Sequence, residues 1–256
     1  MPSVDASGAA SGKEDGRFLA GGRVESPPTI IAGMAIFGGA DGNIYALRLP
    51  GGEPAWQFQA APNDRKLISY GQAESVWPIS GSVLIQNDRL YCVAGRSMFL
   101  DGGLRMIILN PKTGELISEN VMDNKVPGTG KNLQARLMGK HMPVTSPDIL
   151  SSDGKHVYMK SQTFTMDGKR VRIDPQRPDT QYGREVHLFS PITFLDKSWH
   201  QRTYWIYGRA AGEGWAEFQY PPKRVPCGRI MCIDETNAYS YARDVELLCN
   251  TSVSEY

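Results

Sequence analysis

Cysteine is scarce in this 256-residue chain. Its four residues, Cys92, Cys227, Cys232 and Cys249, are too few for a disulfide scaffold at this length. The Cys227–Cys232 spacing also misses the two-residue gap of zinc sites, and no histidine sits nearby, so the thiols read as buried or free. No apolar run approaches the roughly 18 residues of a transmembrane helix. The first 16 residues lack both the basic and the apolar segments of a secretory leader, and their Ser, Ala, Gly and Asp content reads as a flexible linker or cut end. A dominant charge is missing too: 28 basic against 27 acidic residues leave +1, which argues against nucleic acid or an anionic membrane as partner. The short basic runs at Lys169–Arg172 and Lys223–Arg224 read as solvated loops.

Long helices are disfavoured as well, because 27 glycines and 17 prolines are spread along the sequence. Only Gly130 to Lys140 could make about two helical turns. With 41% hydrophobic residues there is ample material for a core. It comes as short β-branched and aromatic runs between Gly, Asp, Asn and Pro turns, the pattern of many short strands.

These runs repeat. Asn43-Ile-Tyr-Ala-Leu-Arg-Leu-Pro-Gly-Gly-Glu53 aligns with Arg105-Met-Ile-Ile-Leu-Asn-Pro-Lys-Thr-Gly-Glu115, placing Leu47 on Leu109, Gly52 on Gly114 and Glu53 on Glu115 at one offset of 62. Each copy follows a Gly-rich turn and an apolar strand, Met34–Phe37 in one and Leu90–Val93 in the other. Gly42, Gly52 and Gly114 suit turn positions of positive φ. A partial third copy spans Asp148–Lys160, and a degenerate fourth runs from Gly228–Asp234 to Ala238–Tyr241. A meander of three or four strands cannot cover both its faces. Radial stacking does, so the expected fold is an all-β propeller rather than a sandwich.

Here the sequence resembles the PQQ-like β-propeller repeat family. Asp41–Leu47, Gly52-Glu53 and Trp56-Gln-Phe58 carry most of the blade pattern. Tyr70–Pro78, Ala94–Gly103, His187–Ser190 and Leu195–Gly208 resemble stretches of large bacterial, planctomycete-type propeller proteins. Those relatives are described as PQQ-binding-like or as similar to the propeller lipoprotein of outer-membrane assembly. The resemblance implies that Trp56 docks one blade on the next; Ser118 stands at the matching place in the second copy. It also implies a periplasmic or cell-envelope location. About four blades are read over residues 17–256, with a long aromatic insertion near 187–220. Closed rings of the family have about six to eight, so the expectation is an incomplete ring whose missing blades or fused domains lie elsewhere.

Chemistry is less legible. A quinone-dependent dehydrogenase of this family would hold PQQ against a tryptophan, with Ca²⁺ on carboxylate and amide oxygens. No adjacent cysteine pair and no matching ligand set is present, so no cofactor and no metal are expected, PQQ with Ca²⁺ belonging only to an enzymatic alternative. The densest constellation is His187, Asp196, Trp199, His200, Arg202 and Trp205. It could bind a metal, act as acid and base, or stack on a sugar or another planar ligand; the same residues could equally be core. Arg96 and Asp101, beside a Gly-rich turn, form a second candidate, readable as a local salt bridge. Gly128-Thr-Gly-Lys131 is no phosphate loop, because Lys125 replaces the first required glycine and Asn132 the Ser/Thr. Asn250-Thr-Ser252 matches a glycosylation sequon, a pattern frequent by chance. The resulting expectation is a non-catalytic binding or scaffold module of unknown ligand or protein partner. The alternative is part of a quinone-dependent dehydrogenase or a carbohydrate-acting enzyme.

Overall fold

The computed structural model describes residues 3–7, 12, 14–69, 71–125, 129–132, 146–160, 162–171, 187–189, 205–208, 227–228, 230–241 and 249–252. Among these there is no helix, and every pairing between strands is antiparallel. The stretch Gly130 to Lys140 lies almost wholly outside the described residues. The chain divides into two compact units, Met1–Asp123 with Ser146–Leu150, and Asn124–Thr145 with Ser151–Tyr256.

The first unit holds two hairpins and two four-stranded meanders. The hairpins are β1 (Ser3–Ser7) with β2 (Glu14–Leu19), and β7 (Lys66–Ser69) with β8 (Gln72–Ser75). The first meander runs β3 (Thr29–Ile31), β4 (Met34–Gly38), β5 (Asn43–Arg48), β6 (Pro54–Gln59). The second runs β9 (Leu84–Gln86), β10 (Arg89–Ala94), β11 (Leu104–Leu109), β12 (Leu116–Met122). The two are register copies. Ala46 pairs with Trp56 and Ile108 with Ser118, and each sheet shifts register one residue later, between Ala46 and Leu47 and between Ile108 and Leu109. A bulge recurring at the offset of the sequence repeat is a designed feature, because bulges set where a strand bends.

Period-2 alternation is absent from the middle strands because both of their faces are covered. From the second residue onward β4 and β10 are buried without a break. One face of each meander meets the other: Ile36, Ile44 and Ala46 share a core with Leu90, Cys92, Ile107 and Leu109. Sheets stacked in this way form the arrangement of neighbouring propeller blades. At the start of the first strands lateral bonds join the first repeat to the second, Ser26 Oγ to Gly81 O (3.1 Å) and Thr29 Oγ1 to Val83 O (2.5 Å). The outer strand β12 instead presents Leu116, Ile117 and Val121 to solvent.

Trp56 sits where the two meanders meet. Its indole N–H donates to Pro111 O at 3.1 Å, and its ring lies against the β11–β12 turn. Gly114 in that turn has φ +74°, and a Cβ there would fall 2.7 Å from the ring. Trp56 is only half-buried, because β6 is an outer strand.

Three further meanders follow; the first and the last coincide with the third and fourth copies read from the sequence, and the middle one is additional. They are β13 (Leu150–Ser152), β14 (His156–Met159) and β15 (Gln162–Thr165); β16 (His187–Phe189), β17 (Trp205–Gly208) and β18 (Cys227–Gly228); and β19 (Ile230–Ile233), β20 (Asn237–Tyr241) and β21 (Cys249–Ser252). The aromatic stretch near 187–220 supplies strands to a sheet of its own. Its strands lie too far apart in sequence for a fixed offset to show. The N-terminal stretch read as linker carries β1, paired with β2 from Ser3–Leu19 to Ser7–Glu14.

Trp56→Ala is expected to cost about 3 kcal/mol, the low end of the range for large aromatics because the ring is half-buried. Gly114→Ala is expected to be comparably damaging through both strain and clash, and Lys169→Ala neutral. Urea unfolding of the three variants checks the order.

Candidate functional site

The best-defined polar cluster lies at one end of the paired meanders. It forms because the β10–β11 turn, Gly95–Gly103, is longer than its counterpart Gly39–Gly42 and reaches back over β8. The segment 74–79 is threaded between these turns by backbone bonds, Ser75 N to Ala40 O (2.8 Å), Ile79 N to Gly39 O (3.1 Å) and Gly95 N to Pro78 O (2.9 Å). Gly42 (φ +85°) must be glycine there, since a Cβ would sit 2.7 Å from Ala61 Cβ and 2.9 Å from Ser75 Oγ.

Glu74 lies at the centre, with 1% of its surface exposed. One carboxylate oxygen is 2.7 Å from Arg23 Nη2 and the other 2.7 Å from Arg96 Nη2. Arg23 also pairs with Glu25 at 3.0 Å, and Arg96 donates to Ser75 O at 3.3 Å. Two cations and two anions compensate each other, so the cluster has no excess charge with which to attract an ion. It fastens the loop before β3, the end of β8 and the β10–β11 turn. A buried carboxylate is tolerable only with such partners.

Arg96 and Asp101 therefore do not pair with each other. Asp101 (φ +52°) accepts from Arg65 Nη2 at 3.1 Å, and its carbonyl accepts the Trp77 indole N–H at 3.0 Å. Arg65 lies 5.6 Å from the Trp77 ring centre. The sequence placed Arg96 and Asp101 correctly at one Gly-rich turn. It gave no sign that Glu74 and Arg65, more than 20 residues away, were their partners.

Of the aromatic constellation, Asp196, Trp199, His200 and Arg202 lie outside the described residues. Position 187 opens β16 opposite Gly208. Trp205 opens β17 opposite Gly228 and is half-buried. This register sets positions 187 and 205 on opposite faces of their sheet. Beside Trp205 in the strand, Tyr207 is buried, which raises its hydroxyl pKa.

A second arrangement recurs at the turns. The Tyr45 hydroxyl donates to Asp41, that of Tyr158 to Asp153 at 2.7 Å, and that of Tyr239 to Asp234 at 3.0 Å. Each aspartate also accepts from the turn itself: Asp41 from Asn43, Asp153 from the Lys155 and His156 amides, and Asp234 from the Thr236 and Asn237 amides. The signal was present as an Asp followed by Tyr four or five positions later, at the head of a strand.

These bonds move the titrations. Burial, then the bond and charge of Asp41, push Tyr45 up to about 12. Burial alone would raise Asp153, but bonds from the His156 amide, the Tyr158 hydroxyl and the Lys155 amide outweigh it and hold the carboxyl low. The Thr236 and Asn237 amides hold Asp234 down to about 2. Cys92 is a free thiol whose pKa full burial raises far above the ordinary range, and Cys232 is free and exposed.

Among the described residues no three His, Cys, Asp or Glu side chains gather as a cation would require. Glu74 and Glu25 are already ion-paired with arginines. These residues do not fit a quinone–Ca²⁺ site, which needs six to eight oxygen ligands for its cation.

Comparison with solved structures finds distant matches. BamB from Moraxella catarrhalis is 16% identical over 94% of this chain and 64% of its own, with a TM-score of 0.48. A europium-containing methanol dehydrogenase is 14% identical over 80% of this chain and 43% of its own, with a TM-score of 0.49. A quinohemoprotein alcohol dehydrogenase from Pseudomonas putida is 13% identical over 98% and 49%, with a TM-score of 0.43. The chain spans less than two thirds of the length of each. No known family profile and no curated protein matches the sequence.

Glu74→Ala is expected to cost about 3 kcal/mol, the low end for breaking a buried pair because both arginines reach solvent. Guanidinium unfolding measures it. Tyr45 has its folded pKa raised above the unfolded value of 10. Its contribution is therefore complete below pH 10 and is lost as pH rises towards 12. Tyr45→Phe is expected to remove that alkaline step from the pH dependence of unfolding.

Proposed function

We propose that this chain is a binding or scaffold module of β-propeller type, without a catalytic centre of its own, working in the bacterial cell envelope. The observation that carries the reading is the state of Glu74. The most buried carboxylate of the best-defined polar cluster is hydrogen-bonded to Arg96 through one oxygen and ion-paired with Arg23 through the other, and so joins three segments rather than facing a substrate. Catalytic acids and bases need a group within reach of substrate and a pKa near the working pH. The Asp–Tyr pairs likewise spend their carboxylates on turn amides and hydroxyls. Contact surface is plentiful by comparison, since β12 shows three aliphatic side chains to solvent. The envelope location rests on the family resemblance of the repeats. Among the described residues no helix is long and apolar enough to cross a membrane.

Titration with pyrroloquinoline quinone and Ca²⁺ is expected to produce neither a new absorbance band nor a rise in melting temperature. A quinone band accompanied by thermal stabilisation overturns the reading in favour of a quinone-dependent enzyme.

A further inference from the structure

The outer face of the first meander is covered by the chain's own N-terminal hairpin. Burial along 15–20 alternates, so that Gly16, Phe18 and Ala20 turn inward while Asp15, Arg17 and Leu19 turn out. Phe18 is the plug. Its ring centre is 5.2 Å from that of Tyr45 and 6.3 Å from that of Phe37, which stack on each other at 5.6 Å. On either side of the plug the contact is made by residues that lack bulk. A Cβ on Gly16 would fall 2.4 Å from Gly51 O, and Cβ atoms on Gly21 and Gly22 would fall 2.5 and 2.4 Å from Asp41 atoms. Thus the segment from Gly16 to Gly22 meets this face in a small–large–small pattern that runs from Gly51 past Tyr45 to Asp41.

The grip is narrow. Val4, Phe18 and Val24 are the partly buried residues packed on Ala20, Phe37, Tyr45 and Leu47, whereas the opposite face shares 14 buried residues with the second meander. A two-stranded hairpin is marginal by itself. This one joins the body through Gly21-Gly22, where no side chain restricts the backbone.

We propose that β1–β2 is an exchangeable strap, able to lift from the Phe37–Tyr45–Leu47 face and be replaced there by the same hairpin of a second copy of this chain. Complementarity needs no new surface, because the contact made within one chain is the contact made between two, the economy that makes exchange of an identical element an accessible route to dimers. Segments that open below the global unfolding free energy are those with few buried apolar contacts, and the strap brings only Val4, Phe18 and Ala20 to this core.

The probe is a fluorescent synthetic peptide of residues 1–20, added to full-length wild-type and Phe18→Ala chains. Binding to the Phe18→Ala chain is expected to be at least tenfold tighter than to wild type, whose own plug competes. A peptide carrying Phe18→Ala is expected not to bind. In hydrogen exchange of the wild-type chain, which needs no variant, β1 and β2 amides are expected to exchange well ahead of those of β4 and β5. Exchange of all four strands in one step, or failure of the peptide to bind a Phe18→Ala chain whose circular dichroism is native, overturns the proposal.

Discussion

A sheet of four short strands with apolar side chains on both faces cannot be stable in water by itself. The rest of this structure follows from that. The middle strands of both four-stranded meanders are buried from their second residue on, with Arg48 and Arg105 the charged exceptions. Burying only one face of each would leave Phe37 and Tyr45, or Tyr91 and Met106, facing solvent at a few kcal/mol per side chain. Each meander therefore needs a neighbour on either side. One side of the first is served by the second meander and the other by the N-terminal hairpin. Stacking is a requirement of the composition, which is why the repeat exists at all.

Polar groups enter this scheme as fasteners between elements whose apolar faces are already committed. Glu74 and its two arginines hold three segments at the end of the stack, while the Asp–Tyr pairs each hold a single turn. The two devices differ in reach. The carboxylate of Glu74 is shared by groups 51 residues before and 22 after it in the chain. The aspartates of the turns serve donors no more than five residues away. Loss of the first loosens the packing of elements, and loss of the second loosens a local backbone shape.

The fold was legible because its determinants are local and periodic. Turn glycines, the Leu47–Leu109 offset and the short β-branched runs each follow from the conformation of a few consecutive residues. Of the last three meanders, two were visible only as a partial copy at Asp148–Lys160 and a degenerate one at Gly228–Tyr241, and the one between them was not visible. Long intervals separate β16 from β17 and β17 from β18, and no offset survives such spacing. Residues 1–16 misled for a related reason. A strand whose inward positions are Gly16 and a single Phe18 carries almost no hydrophobic alternation, since its fit comes from the surface it covers. The polar cluster was half legible: Arg96 and Asp101 stood out beside a glycine turn, but Arg23, Arg65 and Glu74 became their neighbours only through the stacking of sheets.

Trp56 and Gly114 constrain the order in which this chain can change over generations. Two separate conditions hold glycine at 114: a left-handed backbone, which asparagine also tolerates, and the indole ring occupying the volume of any side chain. While Trp56 is present the second condition vetoes every replacement, and position 114 is frozen. Once residue 56 becomes small, only the backbone condition remains and asparagine becomes admissible. The reverse sequence passes through a clash. Descendants of such a repeat should therefore lose the tryptophan before they lose the glycine; in the second copy Ser118 stands at the tryptophan's place, so no ring from that copy imposes the second condition on a following turn.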